Sequence, residues 1–206
     1  MNPIILIQVR LKSARLPLKA LRPLYGVPMI VRLVDRLSNM GIPLKVCTGT
    51  HPQDALLAQL FDAEEIPFYL GHPWDISKRF REAAEDYNPI IRVTGDNPLT
   101  DPNIMLDLLA LWEPGAYVYP TGLPRGVRSE IIDVSLLDKV PLEKQEHEFS
   151  YPLMEMGCAI EKGYDYPDRS MTCDTLEDYE RLTRIYDYWK GQPPGLEAIL
   201  ARWGEY

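Results

Sequence analysis

Apolar residues along this chain fall into two alternating rhythms: short unbroken runs, and longer stretches that repeat every three or four positions. Residues 3–9 are an almost continuous apolar run, which predicts a strand covered on both faces. Residues 27–41 then place Met29, Ile30, Leu33, Val34, Leu37 and Met40 at helical spacing. Pro28 suits the first turn of that helix and Gly41 suits its stop. Residues 44–49 predict a second strand, and 51–65 a helix carrying Leu56, Leu60 and Ala63 on one face. Residues 66–71 form a third strand by the same reading. The alternation continues through a helix at 73–87, striped by Ile76, Phe80, Ala83 and Tyr87, and a strand at 88–95. A helix at 101–113 follows, with Asp101 as its cap and Pro102 in its first turn. Another strand is expected at 116–120.

From 120 to 172 the rhythm weakens. Residues 120–129 read as loop, 130–134 are compatible with a strand, and 143–156 read as helix. The last strong element is a helix at 175–191, where Leu176, Tyr179, Leu182, Ile185, Tyr186 and Trp189 keep one face and Gly191 ends it. Either Asp174 or Thr175 caps its start. Residues 192–206 fit a short packing helix or a partner contact. Strands alternating with helices across short joins predict an α/β fold, a mostly parallel sheet with helices on both faces. Such sheets bind ligands at the carboxyl ends of their strands. Residues 10–19 and 94–101 gather at that edge.

Composition narrows the function. The 206 residues suit a single domain, 1–206, with a substantial core. Lys and Arg total 22 against 30 Asp and Glu, a formal charge of −8. That balance excludes a general binder of nucleic acid or anionic membrane, and leaves room for a local basic pocket. The apolar start is too short for a signal peptide, and no stretch reaches the length of a membrane span. Cys47, Cys158 and Cys173 lie far apart in no paired spacing, which predicts thiols in a reducing cytoplasm rather than a metal site.

Charge is concentrated in one place. Arg10, Lys12, Arg15 and Lys19 fall within ten residues, just past the first strand. A loop leaving a buried strand can hold phosphates through side-chain cations and exposed N–H groups. Arginine forks match phosphate oxygens, Ser13 adds a hydroxyl, and Pro17 stiffens the loop. Neither the G-x-x-x-x-G-K-[ST] nor the G-x-G-x-x-G pattern is present, and a solvated connector would also carry such charges. Asp96, after Gly95 at a strand tip, is either a functional carboxylate or part of an Asp96-Asn97-Pro98 turn. Asp174 is either a second functional carboxylate or a helix cap. Two such aspartates beside a cationic loop would suit Mg²⁺, which takes one or two carboxylates plus substrate phosphates.

The stretch QVRLKSARLPLKALRPLYGVPMIVRLVDRL resembles the N-terminal signature of the CMP-sugar synthetase superfamily of cytidylyltransferases. Arg10, Ser13, Arg15, Leu16, Pro17, Lys19, Leu21, Gly26, Pro28 and Met29 carry that resemblance. RVTGDNPLTDP and CDTLEDYERL are similar to two further segments of the family. DISKRF, PRGVRSE and EHEFSY have counterparts in its SpsF-type spore coat polysaccharide branch. The resemblance is collinear to about residue 190. It implies a Rossmann-like nucleotide-diphospho-sugar transferase fold, CTP and Mg²⁺, and transfer of CMP to a sugar acid with release of pyrophosphate, in surface polysaccharide synthesis.

By the same resemblance Arg10, Ser13, Arg15 and Lys19 hold the triphosphate, with Arg79 also near the nucleotide. Asp96 and Asp174 hold the metal, and Lys19, Arg10 and Asp96 are the catalytic set. Residues 1–119 and 170–190 form the nucleotide and metal part. Residues 120–169 supply the acceptor side or a dimerisation arm, with Arg125, Glu130, Glu146 and His147 on the acceptor. The implied partners are CTP, a small anionic acceptor and a second copy of the chain. Leu18 departs from the family's usual glycine, Leu176 from a helix-opening proline, and Arg128 from an acidic residue; the stretch from Asp96 to Asp174 is also short. A phosphonate or small phosphorylated acceptor remains an alternative, as does a non-catalytic nucleotide-binding scaffold. The retained Lys19, Asp96 and Asp174 weigh against the scaffold.

Overall fold

The computed structural model describes residues 1–142 and 150–206. The apolar opening run forms strand β1 (Ile4–Gln8). A small hairpin, β2 (Pro23–Leu24) and β3 (Val27–Pro28), then precedes helix α1 (Met29–Ser38). Tyr25 and Gly26, both at positive φ (48° and 77°), make the two-residue turn whose twist suits a hairpin. The alternation continues with β4 (Leu44–Gly49), α2 (Ala55–Ala63), β5 (Phe68–Gly71), α3 (Ile76–Ala84), β6 (Ile90–Thr94) and α4 (Pro102–Leu109). Strands β7 (Tyr117–Thr121) and β8 (Glu130–Ile132) come next, followed by α5 (Tyr151–Met154), β9 (Ala159–Gly163), α6 (Leu176–Tyr188) and α7 (Leu196–Ala201).

Seven strands share one sheet in the order β5-β4-β1-β6-β8-β7-β9. All pairings are parallel except those of β8, which runs antiparallel to both β6 and β7. The α/β, mostly parallel architecture expected from the alternation is therefore present. Strand β1 shows why its sequence is apolar at every position. Ile5 and Ile7 join the larger core with Leu33, Phe61 and Leu182, while Ile4 and Leu6 join the opposite core around Phe80 and Tyr117. Side chains alternate across a strand, so a strand roofed on both sides must be apolar at odd and even positions alike.

Some expectations are corrected. Helix α2 buries Leu57 and Phe61, whereas Leu56 is 51% exposed. A 3-10 turn over Pro52–Asp54 delays the α-helix to Ala55, and the larger Phe61 takes the core position. Leu176 is 55% exposed at the first position of α6, where the helix has not yet reached the core. Strand β9 has no apolar alternation to announce it; it is a half-exposed edge strand parallel to β7. Of the helix expected over 143–156, only Tyr151–Met154 is described as helical, and residues 143–149 lie outside the described residues. No helix among the described residues is long and apolar enough to cross a membrane.

The C-terminal segment belongs to the fold. Leu196 and Ile199 of α7 are buried in the larger core. Asp101 ties them to the sheet: one carboxylate oxygen caps α4 by accepting from Asn103 N–H (2.8 Å) and Ile104 N–H (3.4 Å). The other accepts from Leu196 N–H at 2.6 Å. Replacing Asp101 by alanine strands buried donors at two helix starts. The Asp101→Ala variant is expected to lose about 2 kcal/mol of unfolding free energy in urea titration. Asp101→Asn, which keeps an acceptor for the cap, should recover part of that loss.

Candidate active site

A cleft of about 700 Å³ opens at the carboxyl ends of β1, β4 and β6. One wall is the loop that leaves β1. Leu11 and Leu16 are buried and pin this loop to the core. Leu11 N–H donates at 2.8 Å to Asp54, a buried carboxylate at the start of α2. Leu16 N–H donates to the Ser13 hydroxyl at 3.3 Å. Leu18 sits at φ 57°, ψ 24°, the left-handed region, and its carbonyl accepts from Leu21 N–H as the 3-10 turn Lys19–Leu21 begins. This suits the glycine that the resemblance leads one to expect there: the backbone demands a conformation that costs a bulky residue about 1–2 kcal/mol. The leucine keeps that conformation, is 48% exposed, and does not line the cleft.

The opposite wall brings the two aspartates together. Gly95 follows β6 and donates its N–H to Gln8 C=O at 2.8 Å. A Cβ there would stand 2.8 Å from Val9 Cβ, so only glycine allows β6 to end so close to β1. The carbonyl of Asp96 accepts from Cys173 N–H at 2.8 Å, which stitches the 96 and 173–174 segments side by side. The turn after Asp96 is made by Asn97, which donates to the Thr94 hydroxyl and accepts from Thr100. Thr175, not Asp174, caps α6. It forms a reciprocal capping box with Asp178, whose carboxylate also accepts from Asp174 N–H at 3.1 Å. Both bland readings thus fall to neighbouring residues, and the Asp96 and Asp174 side chains are left for the cleft.

They converge on Lys19. Its ammonium donates to Asp96 Oδ2 at 2.8 Å and to Asp174 Oδ1 at 2.9 Å, and Arg15 Nη2 lies 3.2 Å from the same Asp174 oxygen. Burial works against the charge on Lys19, yet Asp96 and Asp174 outweigh it and raise its pKa. Burial likewise pushes the Asp96 carboxyl up, but the Lys19 charge and hydrogen bond, with Thr94, hold it below the usual range. A carboxylate pair closing on one positive charge is a donor set that a divalent ion fits, its other positions filled by phosphate oxygens. No larger His, Cys, Asp or Glu cluster exists among the described residues.

Arg10, Ser13, Arg15, Lys19, Arg79, Asp96, Arg125 and Asp174 all line this one cleft. Arg79 reaches it from α3; it is buried, donates to His72 C=O at 3.2 Å, and its Nε meets no acceptor among the described residues. Arg125 and Arg128 come from the β7–β8 loop, which Gly126 (φ +95°) presses against Met171 and Thr172. The structure does not bring Glu130 to the cleft. It is buried on β8, where it accepts from Arg92 at 2.5 Å and from Ser150 at 2.8 Å. Glu146 and His147 lie outside the described residues. Sequence reasoning missed Gln8, His51, Asp54, Trp74 and Thr172, which also line the cleft. Asp54 and His51 had a signal in the proline-started helix that follows β4, at the same sheet edge. The Cys47 and Cys173 thiols are buried and pushed up to about 12, so neither supplies a thiolate near neutrality.

Comparison with known proteins bears on the family and the fold. The model of the cytidylyltransferase family matches residues 4–188. The spore coat polysaccharide biosynthesis protein SpsF of Bacillus subtilis is 30% identical, over 96% of this chain and 92% of its own. A 3-deoxy-manno-octulosonate cytidylyltransferase of Methylorubrum extorquens is 38% identical, over 50% of this chain and 44% of its own. Among solved structures, a cytidylyltransferase from Leptospira borgpetersenii superimposes with a TM-score of 0.83 at 26% identity, covering 91% of this chain and 87% of its own.

The Leu18 conformation yields a direct test. Leu18→Gly is expected to leave stability unchanged or raise it by up to about 1 kcal/mol, because glycine takes the left-handed region without a Cβ penalty. Leu18→Val should lower stability by about 1 kcal/mol or more in the same urea titration, since β-branched residues resist positive φ.

Proposed function

The chain belongs to the cytidylyltransferase family, and we propose that it couples CTP to a small anionic acceptor of the sugar-acid kind, with Mg²⁺, in surface polysaccharide synthesis. The observation that carries this reading is the single ammonium of Lys19 shared by Asp96 and Asp174, beside a loop bearing Arg10 and Arg15.

In this reading the 10–19 loop grips the triphosphate. Arg10 and Arg15 bond its oxygens, Ser13 lies alongside, and Lys19 neutralises the charge nearest the aspartates. Asp96 and Asp174 would hold the Mg²⁺, which when bound neutralises phosphate oxygens and stabilises the charge of the departing pyrophosphate. The acceptor hydroxyl forms a new bond to the α-phosphorus, and the bond from that phosphorus to the bridging oxygen breaks. Pyrophosphate leaves with the electron pair, and the hydroxyl proton passes to solvent. Such a transfer asks the protein mainly for alignment and charge, not for a covalent group. Arg125 and Arg128 stand on the wall beyond the aspartates, where a carboxylate-bearing acceptor would meet them. Arg79 contributes a buried cation at the opposite end.

The direct test is pyrophosphate release with each of the four nucleoside triphosphates and Mg²⁺ against a panel of sugar acids and phosphonates. Release with CTP and one acceptor supports the reading. No release with any pair, together with no thermal shift by CTP–Mg²⁺, overturns it. Asp96→Asn should lower turnover at least about 100-fold while the unfolding midpoint stays near wild type. Lys19→Ala should weaken CTP binding far more than Lys190→Ala, an exposed lysine remote from the cleft.

A further inference from the structure

The reading above uses the loop cations and the aspartates but leaves one group on the cleft wall without a part: Lys12, His51 and Trp74. All three line the cleft at the β4–β5 side, away from Asp174 and Arg125. Trp74 is 46% exposed, whereas the other three tryptophans are half-buried. His51 meets it edge to face with ring centroids 6.2 Å apart, and the Lys12 ammonium stands 5.7 Å from its ring. Its backbone is fixed. The His72 ring nitrogen accepts from both Trp74 N–H (3.3 Å) and Asp75 N–H (2.8 Å), and Asp75 caps α3 through Lys78 N–H at 2.8 Å. The indole is therefore presented to the cleft by a held turn.

The geometry points to Trp74 as the stacking platform for the nucleoside of the donor, with the His51 ring and the Lys12 ammonium as its neighbours. In-line transfer at the α-phosphorus sets the acceptor opposite the departing pyrophosphate, and the nucleoside, which stays on that phosphorus, projects to the side and needs a wall of its own. The cleft offers two ends on either side of the 10–19 loop. The β7–β8 end presents two exposed arginines, suited to a small anion, and the β4–β5 end presents the aromatic pair, suited to a flat base. The ligand class is a pyrimidine nucleotide, and the inference rests on the proposed use of CTP.

Tryptophan emission and steady-state kinetics test it together. Titration of the wild type with CTP–Mg²⁺ should quench emission, and Trp74→Leu should lose most of that quench. Trp74→Leu should also raise KM for CTP about tenfold, the scale of one lost base–aromatic stack, with kcat within about threefold. Trp74→Phe, which keeps an aromatic face, should stay near wild type. Inorganic tripolyphosphate, which has no base, should bind wild type and Trp74→Leu alike. An unchanged KM or an undiminished quench in Trp74→Leu overturns the assignment, as does an equal loss of tripolyphosphate affinity, which would place the effect on the phosphate loop. A wild-type thermal shift by CTP–Mg²⁺ separates the two readings. If the shift is present and Trp74→Leu behaves as wild type, only this inference fails; if the shift is absent and no triphosphate releases pyrophosphate, both fail.

Discussion

A partly buried ammonium shared by two carboxylates is the contact on which the cleft depends. Lys19, Asp96 and Asp174 come from segments 77 and 155 residues apart in the chain, and each is costly to bury alone. Together they offset one another. The side chain of Lys19 is 14% exposed, so its charge would be poorly solvated without the aspartates. The two aspartates, drawn onto one nitrogen, would repel each other without the lysine. Removing Lys19 leaves two facing carboxylates with only Arg15 beside them, whereas removing one aspartate leaves Lys19 paired with the other, so the lysine is the member on which the other two depend.

That unit works only because the backbone around it is placed by packing and not by the charges. Val9 and Gly95 approach too closely for any side chain at position 95, so the ends of β1 and β6 are side by side before Lys19 reaches across. The Cys173-to-Asp96 backbone bond joins the third segment to the second. Asp54, reaching from the start of α2, fixes the far end of the loop through Leu11. Apolar burial of Leu11 and Leu16 then stops the loop from following its charged residues into solvent. The cationic side chains point into a cleft whose walls are set by β1, β4 and β6.

The alternating sheet and the role of Asp101 could be read from the sequence because each rests on local rules: periodicity, caps and turn residues. The basic loop was legible as an excess of charge after a buried strand, and the structure places its cations on the cleft. What was hidden depended on contacts between distant segments. Nothing local says that Thr175 caps α6 and frees Asp174, since both residues are good caps. Glu130 illustrates the opposite failure. Its position in a matching segment suggested a ligand contact, yet Arg92 on the neighbouring strand already takes its charge, at a register the sequence does not show. Trp74 escaped because a single aromatic in a loop has no period to betray it. Leu18 was visible as a departure, but only the left-handed backbone explains why its position favours glycine.

The overall charge gains a different meaning once the cleft is seen. The chain carries −8, yet seven lysines and arginines line the cleft against three carboxylates. Opposite signs are thus segregated, with the excess of acid on the outer surface and the excess of base in one concave region. A positive cleft in a negative body focuses field lines inward, so an anion is drawn to the mouth while extended polyanions meet a repelling surface. The separation also explains why so many cations can be held close together. Asp54, Asp96 and Asp174 are each spent on a specific loop atom or cation, and they reduce the repulsion without cancelling the positive field. Removing a carboxylate would therefore add net positive charge but lose the positioning that makes that charge usable, and the second effect is the larger because alignment, not attraction alone, governs a group transfer.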